Sequence, residues 1–295
     1  MGYGSYSYEA HRAITTQRKG KSAQEVFNQR TIHPLMDPHG VKARESRDSD
    51  DHPESLGVAF ALDVSGSMGT IPELIARQEL PGFMKLLMDC GVTSPQVLFM
   101  AFTDHGTDAK PLQVGQFETT AELMDQWLTR SWLVGGGRTA YESYELAFHF
   151  AARHTAMDCW EKRQHKGYLF VTGDEPGYDA LSAKVAKDVL GTDLGDDLPV
   201  ADVIAEALQS FEGFFLVPDP GRLKGIEAYW KPLLGDRLIG MADPIDTCPV
   251  AAGLVALGEG AVKDVDELGE RLLAVGKDAA RVEAVKQALR PWAER

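Results

Sequence analysis

Residues 58–67 read Val58-Ala59-Phe60-Ala61-Leu62 followed by Asp63-Val64-Ser65-Gly66-Ser67. The first half is a short, uninterrupted run of apolar residues, which is typical of a β-strand that is buried on both faces. The second half places one carboxylate and two hydroxyls at alternate positions, and the glycine between the serines favours a tight turn. The sequence therefore predicts a buried strand that ends in a cluster of oxygen atoms.

Oxygen ligands of this kind suit a hard divalent cation. Asp63, Ser65 and Ser67 supply few protein ligands and leave coordination positions for water, which matches Mg²⁺ better than Zn²⁺, because Zn²⁺ prefers Cys and His. Asp and Ser are also ordinary residues of turns and helix caps after a strand. The five-residue pattern on its own is therefore compatible with a metal site and with plain turn formation.

Apolar runs and helical patterns alternate along most of the chain, which is typical of a doubly wound α/β fold with a mostly parallel sheet and helices on both faces. In such a sheet, ligands bind beyond the carboxyl ends of the strands, at the point where the winding direction reverses. Asp63 and Asp174 lie at such ends of two predicted strands. One predicted strand ends at residue 63, and five others span 96–102, 112–117, 168–172, 211–217 and 238–241. The predicted helices span 72–89, 120–129 and 141–158.

The Asp-x-Ser-x-Ser pattern after a hydrophobic strand resembles the metal-ion-dependent adhesion site of von Willebrand factor type A domains. This resemblance implies a Rossmann-like fold in which Asp63, Ser65 and Ser67 hold the ion directly. It also implies a Thr from a second loop, which joins when a ligand carboxylate arrives. Thr139 follows the glycine-rich run at 135–138 and is the candidate for that position.

The third loop of the family contributes an Asp that binds the ion directly or through water. The family usually reads Thr-Asp-Gly there, whereas this chain reads Thr172-Gly173-Asp174-Glu175. This departure leaves two candidates for the acid that faces the metal, Asp174 and Glu175, and we favour Asp174. Asp104, Arg138 and Glu175 are further candidates for contacts with a partner.

Members of that family typically fill the open coordination position with a Glu or Asp of another protein. The resemblance therefore implies a protein-interaction module that depends on Mg²⁺ or Mn²⁺. Bacterial members that stand alone often work beside AAA+ ATPases of the MoxR type, so an adaptor or co-chaperone of such an ATPase is the expected role. The chain has no Gly-x-x-x-x-Gly-Lys-Ser/Thr sequence, and the ATPase would be a separate protein.

Two alternatives to metal-dependent recognition remain open. One is a Mg²⁺-dependent phosphoryl-transfer or hydrolytic enzyme that uses Asp63 as nucleophile or metal ligand. Ser65 stands where such an enzyme would place a second Asp, and no Gly-x-Ser-x-Gly sequence surrounds the serines, so we expect no enzymatic activity. The other alternative is a structural scaffold in which the cation only fixes the loops.

Composition narrows the class of protein and its partners. The chain has 295 residues, of which 44% are hydrophobic and 25% charged, and these fractions are typical of a globular protein. Its net charge of −14 argues against nucleic acid as the main partner. We expect no membrane association and a cytoplasmic location, because there is neither a long apolar run nor the charge order of a secretion signal.

The chain divides into three predicted parts. Residues 1–54 lack a long apolar periodicity and are predicted to form an N-terminal extension, with a short helix at 22–30. Residues 55–260 are predicted to form the type A domain, and residues 261–295 a helical segment that packs on it. The three cysteines are widely spaced, with no Cys-x-x-Cys pair, and are expected to be buried apolar residues.

Overall fold

The computed structural model of this protein describes residues 4–18, 21–75, 80–133 and 139–295. Within these residues the strands are β1 (Arg44–Ser46), β2 (Leu56–Asp63), β3 (Pro95–Phe102), β4 (Leu112–Val114), β5 (Thr155–Met157), β6 (Gly167–Thr172), β7 (Ala180–Leu181), β8 (Leu198–Pro199), β9 (Phe211–Val217) and β10 (Leu238–Gly240). The α-helices are α1 (Tyr8–Thr16), α2 (Ala23–Val26), α3 (Ile71–Leu74), α4 (Leu80–Asp89), α5 (Ala121–Arg130), α6 (Tyr144–Arg153), α7 (Asp158–Arg163), α8 (Ala183–Leu190), α9 (Val200–Ser210), α10 (Leu223–Leu234), α11 (Thr247–Gly258), α12 (Val265–Ala274) and α13 (Ala279–Ala293).

A six-stranded sheet in the order β10-β9-β6-β2-β3-β4 forms the centre of the molecule. Its strands pair in parallel, except that β4 pairs with β3 in the antiparallel direction. The chain moves from β2 outward to β3 and β4 and then returns to β6 on the other side of β2. The predicted doubly wound α/β fold is therefore confirmed, and its winding reverses between β2 and β6.

The sheet is covered on both faces because its strands carry apolar side chains on both. Phe60 of β2 faces one side, together with Phe170 and Phe214 from the strands beside it, and that side is covered by α4, α11, α12 and α13. Ala59 and Phe215 face the other side, which α6, α8, α9 and α10 cover. Both β2 and β3 are buried along their whole length, as the uninterrupted apolar runs predict.

Several predicted elements differ from the structure at their ends. The helix predicted at 141–158 begins at Tyr144 and ends at Arg153, because residues 155–157 form β5 and pair with β1 in a separate two-stranded sheet. The helix predicted at 22–30 spans only Ala23–Val26. The helix predicted at 72–89 corresponds to α3 and α4, and residues 76–79 between them lie outside the described residues. The predicted division at residues 54 and 260 remains a prediction.

No helix among the described residues is long and apolar enough to cross a lipid bilayer. The cysteines, Cys90, Cys159 and Cys248, are buried and free of disulfide bonds, as the sequence predicts. Each lies in one of the two apolar layers that flank the sheet.

The segment that precedes β2 is attached to α7 by a network of charged side chains. Asp48 accepts hydrogen bonds from the backbone N–H of Ser55 at 3.0 Å and from Arg163 Nη1 at 2.8 Å, and Lys162 Nζ lies 3.2 Å away. Arg47 Nη1 donates to Asp158 Oδ1 at 2.9 Å. Burial favours the neutral form of Asp48, but the hydrogen bonds from Ser55, Lys162 and Arg163 outweigh burial and hold the pKa of Asp48 well below its ordinary value.

Replacing Asp48 with asparagine is expected to lower the free energy of unfolding by only about 1 to 2 kcal/mol, because Lys162 and Arg163 are partly exposed and solvent screens their interaction with Asp48. The folded-state pKa is depressed, so the contribution is present above the ordinary pKa of 3.8 and is lost as the pH falls through the folded-state value. Urea unfolding at pH 7 and pH 3 measures both effects. Asp50→Asn, an exposed neighbour, is the control; an equal loss in both variants would contradict this role.

Candidate metal centre

The loops that follow β2 and β6 leave the sheet side by side. Leu62 is the register partner of Thr172, the last residue of β6. The backbone N–H of Asp63 points toward Thr172 Oγ1, with a nitrogen to oxygen distance of 3.4 Å. The ends of these two strands lie at the winding reversal, so side chains from both loops meet at the carboxyl edge of the sheet.

The loop after β2 turns its polar atoms toward one point. Asp63 is fully buried, and its Oδ1 accepts a hydrogen bond from the backbone N–H of Ser65 at 2.9 Å. The hydroxyl oxygens of Ser65 and Ser67 lie 3.0 Å apart. The left-handed backbone conformation in this loop is at Gly69, with φ of 55°, and not at Gly66.

The third loop completes a line of hydrogen-bonded oxygens. Ser67 Oγ donates to Asp174 Oδ1 at 2.8 Å, and Asp174 is buried. The Glu175 carboxylate faces Arg222 instead, with 3.2 Å between Glu175 Oε1 and Nη2 of the arginine. The structure therefore brings Asp63, Ser65, Ser67 and Asp174 together, and its geometry favours Asp174 over Glu175 as the acid that faces the serines.

Thr139 belongs to a neighbouring cluster. Its hydroxyl donates to Asp104 Oδ2 at 2.7 Å and lies 3.0 Å from the carbonyl oxygen of Tyr141. The other Asp104 oxygen accepts hydrogen bonds from the N–H of Gly106 at 2.7 Å and from the phenol of Tyr178 at 2.6 Å. Asp104 is buried, and its hydrogen bonds order the loop around Thr139.

The structure does not place every predicted residue at one point. The described contacts of Thr139 run to Asp104 and Tyr141, and not to the serines of the first loop. Arg138, predicted to contact a partner, lies outside the described residues together with the glycine-rich run. The expected contacts of Asp104, Arg138 and Glu175 with a partner remain predictions.

Tyr144 connects the first and third loops and was not identified from the sequence. Its phenol donates to Asp63 Oδ2 at 3.2 Å and accepts a hydrogen bond from the backbone N–H of Glu175 at 3.3 Å. Burial raises the pKa of Tyr144 well above its ordinary value, so the phenol stays protonated and can donate. A Cβ atom at Gly173 would collide with this ring, which explains the glycine between β6 and Asp174.

Glu142 is a third buried carboxyl group near the site. It lies just before α6, and its Oε2 is buried and has no hydrogen-bond partner among the described residues. Burial raises the pKa of Glu142, the charge of Asp63 raises it further, and a hydrogen bond from Ser65 opposes the increase. The one sign of Glu142 in the sequence is that it is an acidic residue three positions after Thr139.

The buried carboxyl group of Asp63 lies beside a second acid, Asp174. Burial raises the pKa of Asp63, hydrogen bonds from Ser65 oppose this, and the charge of Asp174 adds to the increase. The described residues hold no group of three or more His, Cys, Asp or Glu side chains placed to bind one metal ion. Burial raises the pKa of Glu142 to about 9, so this carboxyl group is neutral near pH 7. The candidate donors are the carboxylates of Asp63 and Asp174 and the two serine hydroxyls, which fit a hard cation such as Mg²⁺.

No family model matches this chain, and no curated protein matches it. Many solved structures are similar to it at low identity, and three of them are described here. Proximal thread matrix protein 1 from the mussel byssus is 11% identical with a TM-score of 0.43, over 76% of this chain and 51% of that one. A von Willebrand factor type A structure from Catenulispora acidiphila is 15% identical with a TM-score of 0.42, over 70% and 43%. The pilus adhesin SpaC from Lactobacillus rhamnosus GG, in its open conformation, is 11% identical with a TM-score of 0.45, over 76% and 31%. This chain thus spans about half or less of the length of each structure.

Proposed function

We propose that this protein is a protein-interaction module that binds an acidic side chain of a partner through a divalent cation, Mg²⁺ or Mn²⁺. The observation that carries the proposal is the line of hydrogen-bonded side chains from Ser65 through Ser67 to Asp174, beside the buried Asp63. Asp63, Ser65, Ser67 and Asp174 would hold the cation, with Asp174 binding directly or through water. Thr139 would join when the partner's carboxylate binds.

The charge of the protein explains why a cation is needed for such a contact. The chain carries a net charge of −14, and a partner carboxylate that approached Asp63 and Asp174 directly would be repelled. When bound, the cation compensates both sets of carboxylates and offers the partner an open coordination position. The chain's own hydroxyls and carboxylates orient that position at the edge of the sheet.

The family resemblance in the sequence extends the proposal to the partner. We infer a protein partner that presents Glu or Asp, with an ATPase of the MoxR type as the first candidate, and we expect neither nucleic acid nor a membrane to be bound. Binding rather than catalysis is the proposed activity.

The direct test is calorimetric titration of the metal-free protein with Mg²⁺ and Mn²⁺, followed by affinity capture from source lysate with Mg²⁺ and with excess chelator. Equal capture in both conditions would contradict the proposal.

Replacing Thr139 with alanine is expected to separate metal binding from partner binding. Thr139 contacts Asp104 rather than the serines of the first loop, so the Mg²⁺ affinity of the variant should stay within about threefold of the wild-type value. Mg²⁺-dependent capture of the partner should fall at least about tenfold, because the hydroxyl joins only in the complex. Calorimetry and quantitative capture measure the two quantities.

Thr107→Ala is the matched control, since its hydroxyl also lies near the Asp104 loop, at 3.5 Å from the Asp104 carbonyl oxygen. That variant should retain both activities. A Thr139→Ala protein that loses metal affinity in the absence of partner would show instead that Thr139 is a ligand of the resting site.

A further inference from the structure

Arg222 places a positive charge at the edge of the candidate metal centre. It lies in the loop between β9 and α10, and β9 is the neighbour of β6, so this loop runs beside the third loop of the site. Its Nη2 is 3.0 Å from Asp174 Oδ2 and 3.2 Å from Glu175 Oε1. One guanidinium group therefore contacts the acids at both positions that the sequence proposes as metal ligand.

The backbone of Arg222 is fixed by a local turn while its side chain is partly in solvent. Asp219 Oδ1 accepts a hydrogen bond from the N–H of Gly221 at 2.8 Å, and Arg222 N donates to the Asp219 carbonyl at 3.1 Å. The Arg222 side chain is 40% exposed, whereas that of Asp174 is 1% exposed. The guanidinium can therefore withdraw into water, but the Asp174 carboxylate cannot.

The two oxygens of Asp174 face different groups. Oδ1 accepts the hydrogen bond from Ser67, on the side of the proposed metal ligands, and Oδ2 faces Arg222. A divalent cation on the serine side and a guanidinium on the other side would repel each other across one carboxylate. A buried carboxylate without any counter-charge is unfavourable, so the arginine has a clear role in the metal-free protein.

We propose that Arg222 is an internal counter-cation that stabilises Asp174 in the metal-free protein and competes with the divalent cation for this carboxylate. The inference rests on the proposed function, because it assigns a role at the same site. It adds a built-in control of affinity: the site is stable when empty of metal, and metal binds more weakly than the ligand set alone would allow. The partner-binding state is then reached only at higher cation concentration.

The experiment is a titration of the metal-free protein with Mg²⁺ alone, for wild type and Arg222→Gln. Glutamine retains a polar group but removes the charge, and the dissociation constant should fall about tenfold or more, as expected for the loss of a like charge within a few ångströms. Lys231→Gln is the matched control. It removes the same charge from α10, but Lys231 pairs with Asp236 at 3.1 Å, away from the site, and its dissociation constant should stay within about twofold of wild type.

Thermal unfolding supplies a second measurement that does not depend on calorimetric heats. In excess chelator, Arg222→Gln should unfold at a lower temperature than wild type, because Asp174 and Glu175 lose their counter-charge. Saturating Mg²⁺ should raise the unfolding temperature of the variant more than that of wild type, since stabilisation by a ligand grows with its affinity. Arg222→Lys keeps the charge and should resemble wild type in both measurements.

The outcomes distinguish this inference from the proposed function. If wild type binds Mg²⁺ and Arg222→Gln binds it equally or more weakly, Arg222 is not a competitor and the inference is overturned alone. If neither protein binds Mg²⁺, both the metal site and the inference are overturned. Tighter binding by Arg222→Gln, with Lys231→Gln unchanged, supports both.

Discussion

The Asp63→Ala protein is expected to lose at least about 100-fold in affinity for Mg²⁺ and Mn²⁺, more than the 10- to 100-fold that changes beside a metal ligand typically cost. Asp63 is the buried carboxylate at the end of the central strand, and its two oxygens are held by Ser65 and Tyr144. Alanine removes the charge and also the acceptor that orders the loop of the serines. Calorimetric titration of the metal-free protein measures the loss, and Mg²⁺-dependent capture of a partner should disappear with it.

Asp243→Ala is the matched control for this substitution. Asp243 also follows a strand of the sheet, and its Oδ1 accepts a hydrogen bond from the N–H of Ile245 at 3.0 Å, much as Asp63 accepts one from Ser65. It lies beyond β10, two strands away from β6 in the sheet, so its loss should change metal affinity by no more than about twofold. If Asp63→Ala bound metal with wild-type affinity, the metal-site prediction would be wrong. Asp63 would then serve only to form the turn, through its hydrogen bond with Ser65.

The sequence predicts those parts of the site that depend on a short, continuous stretch of residues. The strand that ends at Asp63 is an uninterrupted apolar run, and the spacing of Ser65 and Ser67 is visible within five residues. Asp174 is predicted from the family pattern together with the end of a predicted strand. In each case the prediction needed only a strand, its carboxyl end and the residues directly after it.

The parts that the sequence does not predict depend on contacts between distant segments. Tyr144 reaches Asp63 across 81 positions of the chain, and Arg222 reaches Asp174 from the loop after another strand. Neither belongs to a motif, since a Tyr at the start of a helix and an Arg in a loop have many ordinary roles. Likewise, β1 and β5 are too short to show a period, and only their pairing defines them.

Glu142 is missed as a site residue because the helix is predicted correctly but its first residue is not. A helix predicted from 141 makes Glu142 a residue of its first turn, where a carboxylate stabilises the helix dipole. The helix begins at Tyr144, and Glu142 instead forms an isolated bridge with Gly177 and is buried near Asp63. The burial of the residue, and not its type, identifies it as part of the site.

Trp230→Ala is expected to lower the free energy of unfolding by about 3 to 5 kcal/mol, which is typical for a large aromatic side chain truncated in a core. Trp230 is fully buried on the face of the sheet that α10 covers, and it stacks on Phe215 with ring centroids 4.0 Å apart. It also contacts the Tyr144 ring edge to face at 5.0 Å, and its indole N–H donates to the Glu175 carbonyl at 3.1 Å. Urea unfolding in excess chelator measures the loss of stability.

These contacts make Trp230 a support of the third loop as well as a core residue, so the variant should also bind Mg²⁺ more weakly, by about tenfold, under conditions where it remains folded. Trp292→Ala is the control. Trp292 packs edge to face on Phe214 at 5.4 Å on the opposite side of the sheet, and its truncation should reduce stability without changing metal affinity. If both variants weakened Mg²⁺ binding equally, the effect would come from general loosening of the sheet, and the hydrogen bond to Glu175 would have no part in positioning Asp174.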